Sequence, residues 1–280
     1  MATAAYLQYN KLAKEKKSLF NSLSSMTNGT FEVIKGFHYG MAAFKKVQCN
    51  ICNWSGSKFC DFYTGYKHVY ENAVCPHCYS HPRHRAYYVY LEKLLAKFDR
   101  KIKLLHFSPE MSITKFLASH DNIEYLSVDI DPSKAMRKEN ITNLSFKNDS
   151  FDLIICMHVF EHIDDDKKAM EEVFRVLKPD GYALLDVPID VTRPTTYEDP
   201  SIISPEARTK AFWQWDHVRL YGMDYKDKLR AIGFDVNEDY YIKSLGKDYT
   251  DRHGMELIPS FLCAKFQGLD CVENMLLAHD

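Results

Sequence analysis

Four of the eight cysteines in the 280-residue chain form two C-x-x-C pairs, Cys49 with Cys52 (CNIC) and Cys75 with Cys78 (CPHC). Thiolates in this pattern are metal ligands. Each knuckle folds two sulfurs onto one side of a turn, and two knuckles complete a tetrahedron. The interval between them is slightly wider than the roughly 15–20 residues of common four-thiolate zinc sites. Gly56 and Pro76 suit the turns. Four thiolates close the coordination shell, so a Zn2+ held by Cys49, Cys52, Cys75 and Cys78 is expected to be structural. Cys60 and His77 are the substitute ligands. Four unrelated core cysteines or a redox C-x-x-C are the competing readings, and nothing nearby resembles a thioredoxin context.

Asp216, His217 and Arg219, in WDHVRLYG, bring a carboxylate, an imidazole and a guanidinium together. An imidazole oriented by a carboxylate can accept a proton; salt bridges tying a loop are the alternative. Arg83, His84 and Arg85 form another cationic group, facing either an anionic substrate or, as a solvated helix start, water. Asp129 ends the apolar run YLSVDI, about 20 residues after the loop of an earlier strand. In a nucleotide-binding α/β fold an acid there accepts hydrogen bonds from ribose hydroxyls. Asp131 is its alternative, and a solvated loop acid the bland one.

These side chains need a scaffold, and the apolar pattern supplies one. FDLIICM (residues 151–157) is a nearly unbroken apolar run, as in a parallel strand covered on both faces. Asp164, Asp165 and Asp166 place negative charge at a helix start. Met170, Val173, Phe174 and Leu177 then recur at i, i+3, i+4 and i+7. Arg175 and Lys178 close the last turn, Pro179 and Gly181 stop it, and YALLDV (182–187) is the next buried strand. The unit is βαβ, for which a right-handed crossover is expected. IKLLHF (102–107) and YLSVDI (125–130) are two more strands, with a helix marked by Ile113, Phe116 and Leu117 between them. A helix with a tyrosine-bearing apolar face covers 86–98, another covers 225–232 with Gly233 as cap, and closing strands lie at 234–236 and 259–266. Periodicity alone gives a doubly wound α/β domain.

The stretch SFDLIICMHVFEHIDDDKKAMEEVFRVLKPDGYALLDVP resembles the fourth-to-fifth-strand region of class I S-adenosylmethionine-dependent methyltransferases of the type 11-like group. There a strand, a histidine after an apolar turn (HVFEHI here), a helix, an R-V-L-K-P-G-G segment (RVLKPDG here) and a strand follow one another. The resemblance extends more weakly from about Lys101 to Phe266. It implies a Rossmann-like, seven-stranded, partly antiparallel sheet with helices on both faces, to which this chain adds a small N-terminal zinc-ribbon subdomain. VDIDPS matches the family's V-D-x-S-P segment and places Asp129 on the ribose-binding acid.

The first loop departs from the family. Where E-x-G-x-G-x-G is usual, residues 106–112 read HFSPEMS, without a glycine. S-adenosylmethionine carries no phosphate, so a glycine-rich anion cradle is less compulsory than for NAD. The chain resembles a subgroup of zinc-ribbon bacterial methyltransferases that have an H-F-x-P-E loop and a D-H-V-R-x-Y-G segment. On that resemblance His106, Ser108 and Glu110 meet the methionine end of the cofactor, with Glu110 pairing its ammonium group. Asn140, before an expected third strand at 144–146, would accept from the adenine amine. Ile130, Ile141 and Met157 complete the expected cofactor-binding set. A base is needed only if the acceptor loses a proton. His217, positioned by Asp216, is the first candidate, followed by His158 and His162, with Arg219 beside them.

A formal net charge of −2 weighs against a general polyanion binder. No apolar run approaches the roughly 20 residues that span a bilayer, and the N-terminus lacks the apolar core of a secretory signal, so a cytoplasmic address is expected. The expected organisation is a helical extension (1–46), the zinc ribbon (47–82), the S-adenosylmethionine-binding domain (83–268, with the proline-interrupted 189–222 as a substrate lid) and a tail (269–280). The expected reaction is methyl transfer to a small-molecule or glycan-type acceptor, as O-methylation. The alternatives are an RNA or protein methyltransferase docking through the ribbon, and a non-catalytic zinc-stapled interaction module. Oligomeric state is not legible.

Overall fold

The structure, a computed structural model, describes residues 46–63 and 69–265. The expected N-terminal helix and the 269–280 tail lie outside the described residues. The described residues begin with two small antiparallel pairs, β1 (Val47–Gln48) with β2 (Ser55–Gly56) and β3 (Cys60–Tyr63) with β4 (Val69–Val74). Helix α1 (Pro82–Leu95) follows, with proline in its first turn, where no N–H partner is needed.

The main sheet is built from β5 (Ile102–Phe107), β6 (Ile123–Asp129), β7 (Arg137–Lys138), β8 (Phe151–Met157), β9 (Leu177–Asp186), β12 (Asp235–Asp239) and β13 (Ser260–Ala264), in the order β12-β13-β9-β8-β5-β6-β7. Strands β7, β6, β5, β8 and β9 are mutually parallel, and β13 is antiparallel to both its neighbours. This is the Rossmann-like, partly antiparallel, seven-stranded sheet with helices on both faces that the resemblance implies. Its strand order reverses between β5 and β8, and ligands of open α/β sheets bind beyond the carboxyl ends of strands at such a point.

Every residue of β8 is buried. Its period of two sends Leu153, Ile155 and Met157 to one face, with α1 and α2 (Met111–Leu117), and Ile154 and Cys156 to the other. That second face is covered by α3 (Asp166–Val176) and α5 (Tyr225–Ile232) through Met170, Val173, Tyr225 and Leu229. The Asp165 side chain caps α3 by accepting from Lys168 N–H, and Gly233 ends α5 at φ 117°.

Three expectations are corrected. Residues 144–146 form no strand; β7 is two residues long and lies earlier, at Arg137–Lys138. The 144–146 backbone is satisfied by α3 instead: Glu172 accepts from Leu144 N–H, and Arg175 donates to the Leu144 and Phe146 carbonyls. Helix α3 stops at Val176, because Leu177 already pairs with Phe151 in the ladder. The 189–222 segment is more regular than its prolines suggest: β10 (Tyr197–Glu198) pairs with β11 (Arg219–Leu220), and between them runs α4 (Pro205–Phe212), capped by Ser204. Two further helices, α6 (Tyr241–Ser244) and α7 (Lys247–His253), precede β13.

Candidate functional site

The two knuckles converge. Cys49, Cys52, Cys75 and Cys78 form one group, with Sγ–Sγ separations of 3.5 Å (Cys49–Cys78) and 3.6 Å (Cys52–Cys75). Four sulfurs about 2.3 Å from one Zn2+ stand roughly 3.8 Å apart, so the spacing fits that ion. The knuckles share one geometry: Asn53 N–H donates to the Cys49 carbonyl and Tyr79 N–H to that of Cys75, and Asn53 and Tyr79 both have φ 60°. Cys60 and His77, the substitute ligands, are exposed and outside the group.

Arg85 resolves differently from either expectation. It is fully buried and faces neither substrate nor solvent. Its guanidinium donates to the carbonyls of Ala73, Ser80, His253 and Gly254, and lies 4.0 Å over the Phe59 ring. It therefore ties the ribbon to α7. Gly254, at φ 54°, is required there: a Cβ would stand 2.7 Å from the Phe59 ring.

At the carboxyl ends of β5 and β6 the expected cofactor residues gather. Ser108 donates to Asp129 Oδ2 at 2.8 Å, and Asp131 N–H to Asp129 Oδ1 at 2.8 Å. Glu110, before α2, lies 3.3 Å from His106 Nε2 and 3.8 Å from His84 Nε2. Burial works to raise its pKa, but His106 and nearby Arg83 and His158 outweigh it and hold the carboxyl low. Ser108 has φ 45°, so serine adopts the left-handed conformation that glycine otherwise supplies. Met157 and Ile141 are buried, whereas the Ile130 side chain is 62% exposed. The Asn140 amide oxygen is held locally, accepting from the Thr142 N–H and hydroxyl.

The histidines surround a carboxylate that the sequence reading passed over. Glu161 is 1% exposed, in the turn after β8. His158 Nδ1 is 3.4 Å from its Oε1, with His162 Nε2 at 3.9 Å and His217 Nε2 at 4.0 Å. Its spacing three residues from His158 was the available signal. His158, at φ 55°, is the second non-glycine residue held left-handed at a central strand end. Its Nε2 is 3.3 Å from the Tyr87 hydroxyl.

Asp216 does not orient His217. It lies 3.4 Å from His162 Nδ1, while His217 Nδ1 bonds the Phe212 carbonyl at 2.8 Å. Burial pushes the His217 pKa down. Arg219 is buried and committed to structure: it donates to Glu198 and to the carbonyls of Phe160, Ile163 and Asp164, joining the 189–222 segment to the Glu161 turn.

Residues 90–185 match the family model for a methyltransferase domain. That methyltransferase match runs from α1 into β9 and takes in about a third of the chain. Among curated proteins, the chain is 33% identical over 102 residues to the uncharacterised protein MJ0638 of Methanocaldococcus jannaschii, covering 34% of this chain and 45% of that one. It is 51% identical over 43 residues to the uncharacterised methyltransferase YcgJ of Bacillus subtilis, covering 15% and 17%. The matched stretches thus span less than half of either relative. The crystal structure of YcgJ superimposes with TM-score 0.45 at 19% identity, over 65% of this chain and 100% of that chain. The PH0226 protein of Pyrococcus horikoshii does so with TM-score 0.41 at 20% identity, over 64% and 89%. Among the described residues, no helix is long and apolar enough to cross a membrane.

Proposed function

We propose that the chain is an S-adenosylmethionine-dependent methyltransferase acting on a small-molecule or glycan-type acceptor, by O-methylation. The carrying observation is the Ser108–Asp129 pair at the carboxyl ends of β5 and β6, beside the point where strand order reverses. Each Asp129 oxygen has one donor in the chain and a lone pair to spare, which suits ribose hydroxyls. Glu110 Oε2 is buried and without a hydrogen-bond donor, which suits an ammonium group. Bound S-adenosylmethionine supplies an activated sulfonium methyl. The remaining work of the chain is to align the acceptor in line with that bond and to keep water away.

Ser108, Glu110 and Asp129 are assigned to the cofactor, and His158 with Tyr87 to the acceptor side, next to β8. An acceptor proton that must leave passes to His158, which lies beside Glu161. The four cysteines hold structural Zn2+, an assignment supported by the sulfur spacing. Calorimetric titration with S-adenosylhomocysteine tests the reading. Binding at one site that is lost in Asp129→Ala supports it, and absence of binding at millimolar ligand refutes it.

A further inference from the structure

We propose that Glu161, His162 and His217 form a second metal site, for a divalent transition-metal ion of the zinc–cobalt class, separate from the four-cysteine group. The site does not depend on methyl transfer being the reaction. Its three ligand atoms lie within 4.8 Å of one another. Glu161 is 1% exposed, and neither carboxylate oxygen has a hydrogen-bond donor. At 3.9 and 4.0 Å, the Nε2 atoms of His162 and His217 are beyond hydrogen-bond reach of it.

The far side of each ring explains why those nitrogens carry no proton. The Phe212 carbonyl can only accept, so His217 Nδ1 is the protonated nitrogen and Nε2 carries the lone pair. Asp216, 3.4 Å from His162 Nδ1, polarises that ring the same way. Two lone pairs and a buried carboxylate therefore face one another, an arrangement that repels unless a cation lies between them. A carbonyl or carboxylate behind a ligating imidazole is also what orients metal-bound histidines. His158 Nδ1, 3.4 Å from Glu161, is the remaining neighbour.

Metal–nitrogen bonds of about 2.0–2.1 Å bring ligand atoms to roughly 3–3.5 Å apart, so the two Glu161–histidine separations need to close by only about 1 Å or less. The backbone is braced for this. Val218 N–H donates to the Glu161 carbonyl, and Arg219 clamps the carbonyls on either side of the turn. Two imidazoles with one carboxylate suit zinc, cobalt, nickel or iron(II) better than magnesium or calcium. Three protein ligands leave a position open toward the half-exposed His162 side, where a bound oxygen would lose its proton more readily.

The test uses the full untagged chain, given one equivalent of zinc to fill the four-cysteine group and then titrated with Co2+. The expected result is one equivalent of cobalt giving weak visible ligand-field bands without near-ultraviolet thiolate charge transfer. Glu161→Gln and His217→Asn should each abolish those bands while circular dichroism is unchanged. In parallel samples saturated with zinc and given no cobalt, the zinc content should fall from two per chain in wild type to one in the same variants. Absence of the bands in wild type overturns the proposal, as does their persistence in both variants. If a variant fails to fold, the wild-type spectrum alone decides, because the cysteine group is marked by its charge-transfer absorption. Loss of cofactor binding would leave these readouts unmoved.

Discussion

Asp129 and Ser108 make the most direct residue-scale prediction. Asp129→Ala removes the acceptor for ribose hydroxyls and for Ser108, and S-adenosylhomocysteine affinity should fall at least about tenfold, near the 1.4 kcal/mol of one charged hydrogen bond. Titration calorimetry reads this directly. On the acceptor side, His217→Ala should lower turnover much more than cofactor affinity; equal losses would remove it from the chemistry. Asp186, at the end of β9, accepts from Phe261 N–H at 2.6 Å, yet burial pushes its pKa up to about 6. A carboxyl with a folded pKa above its unfolded value of 3.8 binds its proton more tightly when folded. Stability should therefore fall as pH rises from about 4 to about 6, with the cost complete above that window. At 1.36 kcal/mol per tenfold change, the cost is on the order of 3 kcal/mol. Asp186→Asn should raise the unfolding free energy at about pH 8, and the gain should vanish near pH 4. Denaturant melts at the two pH values decide it.

The elements show why some of this was legible in sequence and some was not. FDLIICM and IKLLHF read correctly to the residue, because central strands covered on both faces are nearly unbroken apolar runs. Residues 144–146 misled because an apolar, strand-like triplet had its backbone satisfied by Glu172 and Arg175, side chains almost 30 residues away. The two C-x-x-C pairs announced their convergence, since their spacing is local. The partners of Arg85, Arg219 and Asp216 did not, because each is fixed by chain segments that only the fold brings together. The glycine-free first loop is explained by Ser108, which takes up the left-handed backbone itself at a cost of roughly 1 kcal/mol. Ser108→Gly should relieve that strain while losing the Asp129 hydrogen bond, so stability should change little and cofactor affinity should drop. A melt paired with a binding titration separates the two.

At the scale of the whole molecule, Arg85 ties the cysteine-bearing N-terminal strands to the segment before β13. Arg85→Met leaves four buried carbonyls without their donor, and should cost on the order of 3 kcal/mol in denaturant unfolding. Stripping zinc with a chelator should loosen the same junction. Limited proteolysis should then open the chain between residues 46 and 80 before it cuts the main sheet.

The clamp made by Arg219 has its own outcome. Because one guanidinium grips three carbonyls in the turn after β8 from a strand at the base of the 189–222 segment, that segment's C-terminal root cannot swing independently of the histidines. Because β10 pairs with β11 and Ile189 bridges Tyr221, whatever opening admits an acceptor must lie between the paired strands, in residues 199–212. Spin labels placed there should report motion that labels beside Leu220 do not.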